Sequence, residues 1–144
     1  MNSLNGIGTL VGRILMALIF ILSGIGKFAN PAMMAAFMKM NGVPLVKPLL
    51  YLSAIIEVGG GALLLIGFQH RWIALLLFLF LIPVTIMMHL IPGGQMNQIE
   101  VMKNLAIMGG LLDLSVAGAG VLSFDAAIAR SRRPFWAFWQ RRTI

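Results

Sequence analysis

The sequence predicts an all-α membrane protein, built as an antiparallel four-helix transmembrane bundle with short interfacial segments. Of its 144 residues, 60% are hydrophobic and 10% are charged, whereas about a quarter of the residues in a soluble domain are charged. A helix needs roughly 20 apolar residues to cross a bilayer. Four segments meet that length, at residues 9–29, 49–68, 72–91 and 101–122. We therefore predict one membrane domain over residues 1–125.

The first predicted span carries a cation near each end. Arg13 and Lys27 fall on one face when the segment is drawn as a helix. Either each side chain extends to its nearer interface, or each has a partner inside the protein. Pro31 ends this span, because proline lacks a backbone N–H and restricts the residue before it. Residues 32–40 are too short to cross and are predicted to form an interfacial helix or a re-entrant turn.

The second span holds Glu57 near its middle. A charge at the bilayer centre costs roughly 2.5–3.5 kcal/mol on insertion scales, so carboxylates are rare there unless they are used. The neighbours on the same helical face are small, namely Ser53, Ala54, Gly60 and Gly61. Small residues let another helix approach closely. We therefore expect Glu57 to face packed protein and not lipid.

The third and fourth spans add further polar residues. Only residues 69–71 link the second span to the third, so these helices are predicted to be antiparallel neighbours. Pro83 is predicted to kink the third span, and His89 near its end is either a water-bound interface residue or a ligand-binding group. Lys103 and Asn104 begin the fourth span. At ~1.5 Å of rise per residue, Asp113 is placed near the midplane, level with Glu57.

Residues 126–144 form a basic and aromatic tail. Mixed arginine and tryptophan is typical of a segment at the headgroups of anionic lipid. Stacking on single-stranded nucleic acid is the alternative, and four membrane spans disfavour it. The predicted interface residues are Arg130, Arg132, Arg133, Trp136, Trp139, Arg141 and Arg142. Asp125, just before the tail, is a candidate cap of a short helix.

The cations also predict the orientation. Of the eleven Lys and Arg residues, seven fall on the side of both termini, namely Arg13, Arg71 and the five arginines of the tail. Cytoplasmic segments of membrane proteins carry an excess of Lys and Arg. We therefore predict a multi-pass protein of the bacterial inner membrane with both termini in the cytoplasm.

Motifs that define an enzyme are missing from the sequence. There is no cysteine and there are two histidines, which excludes thiol chemistry and makes a self-contained zinc site improbable. Seven side chains are candidates for ligand binding or a proton relay: Arg13, Lys27, Glu57, His89, Lys103, Asn104 and Asp113. They can form a structural charge network. Alternatively, Lys27, Glu57, His89 and the Lys103–Asn104 pair line an outward-opening pocket for a quinone headgroup, a small anion or a relayed proton.

Six pieces of the chain carry a family resemblance: GRILMALIFILSGIGKF at 12–28, GVPLVKPLL at 42–50, EVGGGALLLIGFQHR at 57–71, His89, MKNLAIMGG at 102–110 and GAGVLSFD at 118–125. In this order they resemble the DoxX family of small four-helix bacterial inner-membrane proteins. By this resemblance, Arg13, Lys27, Glu57, Lys103 and Asn104 occupy recurrent polar positions of the family. Ala119 stands where the family has a proline, and Asp113 where it is apolar. The family's association with a thiosulfate:quinone oxidoreductase and quinol oxidase system implies contact with quinone or a redox protein, without assigning an activity to this chain.

Three functions follow as hypotheses. The first is a non-catalytic membrane subunit or anchor of a respiratory or redox-stress assembly that holds quinone or lipid between its helices, alone or as a homo-oligomer. The second is a small proton-coupled transporter that acts through Glu57. The third is a scaffold that binds lipid or protein through its tail.

Overall fold

All regular structure in the described part of the chain is helical. The computed structural model describes residues 3–90, 95–120 and 122–131. The elements are α1 (Ser3–Ala29), α2 (Pro31–Met40), α3 (Val46–Ile66), α4 (His70–Thr85), a π-helical segment (Ile86–Leu90), α5 (Gln95–Ala117) and α6 (Phe124–Ser131). The short stretch after the first predicted span is thus a ten-residue helix, α2.

Among the described residues, three helical stretches are long and apolar enough to cross a membrane. They are Gly6–Ala29, Val46–Ile66 and His70–Leu90, and they match the first three predicted spans. α5 has sufficient length at 23 residues, but it is more polar because it contains Glu100, Lys103 and Asp113. A fourth span in α5 therefore stays a prediction.

The four long helices pack in a ring, with α1 against α3, α3 against α4, α4 against α5 and α5 against α1. α1 and α3 are antiparallel: Arg13 lies beside Gly67, whereas Gly24 lies beside Ala54 and Glu57. α4 and α5 are antiparallel as well, since the His70 ring contacts the Leu114 carbonyl while Thr85 contacts Asn104. These contacts define two ends of the molecule, called below the Arg13 end and the Lys27 end.

Two hydrophobic clusters hold the ring together. The larger one joins the four long helices through Ala17, Phe20, Leu64, Ala74, Leu77, Leu81, Ile107, Met108, Leu111 and Leu114. The smaller one lies at the Lys27 end, where Met38, Val43 and Leu50 pack with Met87 and Met88 of the π-helical segment. α2 is therefore folded onto the start of α3 and the end of the third span.

Candidate functional site

A cavity of about 620 Å³ lies at the Lys27 end, between the ring helices, α2 and the π-helical segment. Five of the side chains singled out in the sequence line it, namely Lys27, Glu57, His89, Lys103 and Asn104. Most of the remaining lining is apolar, with Phe20, Met34, Leu52 and Ile107 among it. The structure thus brings five of the seven candidate residues to one cavity and leaves Arg13 and Asp113 outside it.

Glu57 is held on the wall formed by α1 and α3. Its exposed fraction is 4%, so the prediction that it faces protein is confirmed. Gly24 of α1 permits this, because a Cβ atom there would lie 3.1 Å from the Glu57 Cβ and 2.9 Å from the Ala54 carbonyl oxygen. The Lys27 ammonium donates to the Glu57 carboxylate and, at 3.1 Å, to the Ser23 hydroxyl. The structure therefore supports the interpretation in which Lys27 has a partner inside the protein and does not extend to the interface.

The opposite wall carries neutral polar groups from α4 and α5. Asn104, 6% exposed, donates from Nδ2 to Thr85 Oγ1 at 3.0 Å. The Thr85 hydroxyl in turn donates to the carbonyl of Leu81 at 2.6 Å, a bond back to the preceding turn that is common for helical threonine. These bonds fix the Asn104 amide at the cavity, where its Oδ1 retains capacity to accept a hydrogen bond.

His89 lies in the π-helical segment, which begins three residues after Pro83. π-Helical turns are rare and often occur at functional sites. The ring lines the cavity, and its Nδ1 atom is buried without a hydrogen-bond partner among the described residues. A buried polar atom left unpaired costs roughly 1–3 kcal/mol. His89 is therefore the least satisfied polar group of the cavity.

A second ion pair lies at the edge of the cavity. Lys103 Nζ is 2.5 Å from Glu100 Oε2, and the two side chains are 55% and 39% exposed. Lys103 is therefore neutralised by its own helix and not by Glu57. Since Lys27 is paired with Glu57, the charged groups of the lining cancel. In the described ranges, no three His, Asp or Glu side chains are grouped so that they could hold a metal ion.

Arg13 is buried at the other end of α1, with an exposed fraction of 2%. The guanidinium donates to the carbonyl oxygens of Ala119 at 2.6 Å and Leu122 at 2.7 Å. The structure therefore supports a partner inside the protein for Arg13, and that partner is backbone. Both carbonyls belong to the turn between α5 and α6.

Asp113 is not part of a buried charge network. It lies toward the Arg13 end, because the carbonyl oxygen of its neighbour Leu114 is 3.2 Å from the ring of His70, the first residue of α4. α5 begins at Gln95 and not at residue 101. The Asp113 side chain is exposed and lies outside the cavity.

Asp125 and His70 form a contact that the sequence did not predict. Asp125 caps α4 and not α6: its carboxylate accepts from the backbone N–H groups of Gln69 at 2.8 Å and His70 at 3.2 Å. The His70 ring contacts the same carboxylate at 3.3 Å. α6 is instead capped by the Ser123 hydroxyl, which accepts from the N–H of Ala126 at 3.1 Å. The available signal was the missing Ser, Thr, Asp or Asn just before α4.

The hydrogen bonds also change the acidity of Asp125. Burial alone raises the pKa of a carboxyl, but the bonds from Gln69 and His70 outweigh it and hold the pKa of Asp125 below its ordinary value. Asp125 is therefore ionised at neutral pH. It fastens α6 to the turn between α3 and α4.

Most of the predicted lipid-interface residues lie outside the described residues, namely Arg132, Arg133, Trp136, Trp139, Arg141 and Arg142. Arg130 is described: it is exposed on α6, and its Nε donates to the Ala126 carbonyl at 3.2 Å. The lipid contact of the tail stays a prediction.

Comparison with known proteins places the chain in a family. Residues 8–90 match the DoxX family. The chain is similar to the inner membrane protein YqjF of Escherichia coli (strain K12), with 38% identity over 126 residues that cover 87% of this chain and 95% of that protein. It is 28% identical to the inner membrane protein YphA of the same organism over 121 residues, or 81% of this chain and 86% of that protein. No solved structure shows significant similarity. The extent of these matches shows that the chain belongs to the DoxX family.

Proposed function

We propose that this integral inner-membrane protein is a non-catalytic binding subunit or anchor, which holds a quinone or a lipid in the cavity at its Lys27 end. The observation that supports this most is the cavity of about 620 Å³ lined by a buried ion pair and by His89 with an unpaired Nδ1. Ligand sites are typically 300–1,000 Å³ and mostly apolar, with a few polar groups that orient the ligand. The lining follows that pattern.

The proposed topology has four spans and both termini in the cytoplasm. α5 supports this, because Ile107, Met108, Leu111 and Leu114 are buried in the same cluster as residues of the first three spans. The chain has no cysteine, so single cysteines can be introduced without background labelling. A cysteine at Lys47 should react with an impermeant maleimide from the periplasm, and one at Arg71 should not. The reverse pattern contradicts the orientation, and labelling of both from one side contradicts a crossing of the membrane by α3.

Recovery of a ligand with the purified protein tests the binding function. The protein is extracted in mild detergent and examined by native mass spectrometry, which is expected to show one quinone or lipid per chain. Ser53→Phe is designed to fill the cavity, since Ser53 lines it, and should abolish the bound mass. Asp113→Asn is the matched control, because Asp113 is exposed and outside the cavity. A wild-type protein free of ligand, or equal occupancy in the Ser53 variant, contradicts the proposal.

A partner protein is a separate part of the proposal. A membrane anchor should be recovered with a redox protein after crosslinking in intact cells and solubilisation. The Ser53 variant should retain that partner, because the cavity and the outer surface are different parts of the molecule. Recovery of the chain alone, or only as a homo-oligomer, removes the assembly role and leaves the ligand binding intact.

Proton-coupled transport is the second candidate, and the position of Glu57 favours it. Glu57 and Lys27 form an ion pair on a cavity wall rather than in a packed core, so a ligand that displaces Lys27 can change the protonation of Glu57. Glu57→Gln should then abolish proton-dependent flux in liposomes while the protein stays folded. Unchanged flux removes this candidate.

A further inference from the structure

The two walls of the cavity present different chemistry to a ligand. On the α1–α3 wall, Lys27 and Glu57 bind each other. On the facing wall, Asn104 makes one side-chain hydrogen bond, through Nδ2. The His89 ring lines the cavity and makes no hydrogen bond among the residues described; its Nδ1 atom is enclosed, so the nitrogen that can reach a ligand is Nε2. The hydrogen-bonding capacity that is left for a ligand is therefore concentrated on His89 and Asn104.

The charge of the lining restricts the ligand class. Lys27 is paired with Glu57 and Lys103 with Glu100, so no cation is left to neutralise an anionic headgroup. A carboxylate or phosphate in the cavity would be an uncompensated charge away from water, which is strongly disfavoured. The cavity therefore suits a headgroup without net charge.

The polar atoms that lack hydrogen-bond partners restrict the ligand class further. The amide oxygen Oδ1 of Asn104 can only accept a hydrogen bond, whereas a ring nitrogen of histidine donates or accepts according to its tautomer. A hydroxyl group both donates and accepts, so it can satisfy Asn104 and His89 together. A carbonyl or an ether oxygen accepts only and leaves Asn104 unsatisfied.

We propose that His89, with Asn104, forms a subsite for the hydroxyl group of a neutral amphiphile. This inference rests on the proposed ligand-binding function and names the headgroup that the cavity selects. If the ligand is a quinone, the subsite selects its reduced, hydroxyl-bearing form. The π-helical segment after Pro83 places the histidine ring at the cavity.

Three probes with the same alkyl chain test the subsite: 4-dodecylphenol, its methyl ether and 4-dodecylbenzoate. They are compared in pairwise competition for the full-length protein by native mass spectrometry. The wild type should prefer the phenol to the methyl ether by roughly tenfold, the value of about one net hydrogen bond. The benzoate should bind more weakly than either neutral probe, because it brings an unpaired charge.

Substitutions of His89 test whether the preference for the phenol over the methyl ether depends on its ring nitrogens. His89→Phe retains a ring of similar shape without nitrogen atoms, and the ratio of phenol to methyl ether should fall to near one while the methyl ether still binds. His89→Gln restores a hydrogen-bonding group and should recover part of the preference. Asp113→Asn should retain the wild-type ratio. The melting temperature of each variant shows that the compared proteins are folded.

The outcomes separate the inference from the function on which it rests. If neither neutral probe binds the wild type, the cavity is not a binding site and both proposals fail. If the phenol and the methyl ether bind equally well, the binding function stands and the hydroxyl subsite is wrong. If the benzoate binds best, the neutral headgroup is wrong, and an unchanged ratio in His89→Phe removes His89 from the subsite.

Discussion

The two ends of the molecule each bury a cation of α1, and they satisfy it in different ways. Arg13 binds two backbone carbonyls and is packed so closely that a Cβ at Gly67 would lie 2.5 Å from its Nη1. Lys27 binds the carboxylate of Glu57 on the wall of a cavity. The same helical face thus places one cation in a closely packed position and the other on the wall of the larger cavity.

This difference indicates where a ligand can act. At the Arg13 end, Asp125 satisfies the first N–H groups of α4, and Arg13 donates to carbonyls after α5. Each end nevertheless has one buried nitrogen without a partner in the described part of the chain, Arg13 Nε and His89 Nδ1. The two ends differ in that His89 lines the cavity of about 620 Å³, together with the Lys27–Glu57 pair, whereas Arg13 does not. We infer from the cavity that the Lys27 end is where function is located.

The largest effect is expected at the filled end, for Gly67→Ala. Gly67 has φ of +71°, and an added Cβ would also lie 2.7 Å from the Ser123 Cβ. Left-handed backbone costs about 1–2 kcal/mol for a residue with a side chain, and overpacking adds about 1–3 kcal/mol. We expect a loss of about 3–4 kcal/mol, measured by thermal unfolding in detergent.

Gly59→Ala is the matched control for this prediction. Gly59 lies within α3, the helix that Gly67 ends, but an added Cβ there would meet nothing within 4 Å. Alanine there should be neutral or stabilising by up to about 1 kcal/mol, because glycine is a poor helix former. Similar losses in both variants would show that the loss in Gly67→Ala does not come from close packing at the Arg13 end.

The next largest effect is expected at the ion pair. Glu57→Gln leaves the Lys27 ammonium, whose side chain is 13% exposed, without a counter-charge. Removing one partner of a buried pair costs about 3–5 kcal/mol. Because the amide oxygen still accepts a hydrogen bond and Lys27 is not fully buried, we expect about 2–3 kcal/mol, measured by unfolding in detergent.

The double variant Lys27→Met/Glu57→Leu separates stability from ligand binding. Replacing both partners of a buried pair with apolar residues is often neutral or stabilising, so the double variant should regain most of the lost stability. It should retain ligand, because Asn104 and His89 on the facing wall are unchanged. A double variant that is stable but loses the ligand would show that the ion pair itself contacts it.

A smaller effect is expected where α1 approaches α3. At Gly24, an added Cβ would lie 2.6 Å from Val58 Cγ2 and 2.9 Å from the Ala54 carbonyl oxygen. Gly24→Ala should cost about 1–3 kcal/mol and should lower ligand occupancy, since it pushes α3 away from α1 and so changes the shape of that cavity wall. Gly26→Ala, two residues along the same helix, meets nothing within 4 Å and should leave both properties unchanged. Equal behaviour of the two variants would contradict a close approach at Gly24.

The sequence predicted correctly those features that depend on a single helix. Glu57 was placed correctly, because the small residues on its face reveal a close neighbour without any knowledge of which helix that is. The three spans were placed within a few residues, with α4 and the π-helical segment together forming the third. The kink predicted at Pro83 was not specific enough to predict a π-helical turn, since helical periodicity does not encode it.

The sequence was misleading where the answer depends on contacts distant in the chain. Asp113 was grouped with the buried charges, although its side chain is exposed. The carbonyl partners of Arg13 depend on how the chain turns after α5, which periodicity does not predict. Asp125 was recognised as a cap, but of its own helix, because a cap supplied by a residue 55 positions away from His70 leaves no local pattern.

The smallest effect, and the most specific, is expected for the pH dependence of Asp125. Its folded pKa is lowered, so its contribution to stability is fully present above the ordinary value of about 4 and is lost as the pH falls through the folded pKa. Asp125→Asn should cost about 1 kcal/mol at pH 7, the value of one hydrogen bond, because a single amide oxygen replaces the two carboxylate oxygens that accept from Gln69 and His70. It should also make the loss of stability below pH 4 shallower, because the variant no longer binds that proton.

Unfolding in detergent from pH 7 to pH 3 measures both effects, with Asp113→Asn as the exposed control. Parallel curves for Asp125→Asn and the wild type would show that this carboxylate does not fasten α6 to the start of α4.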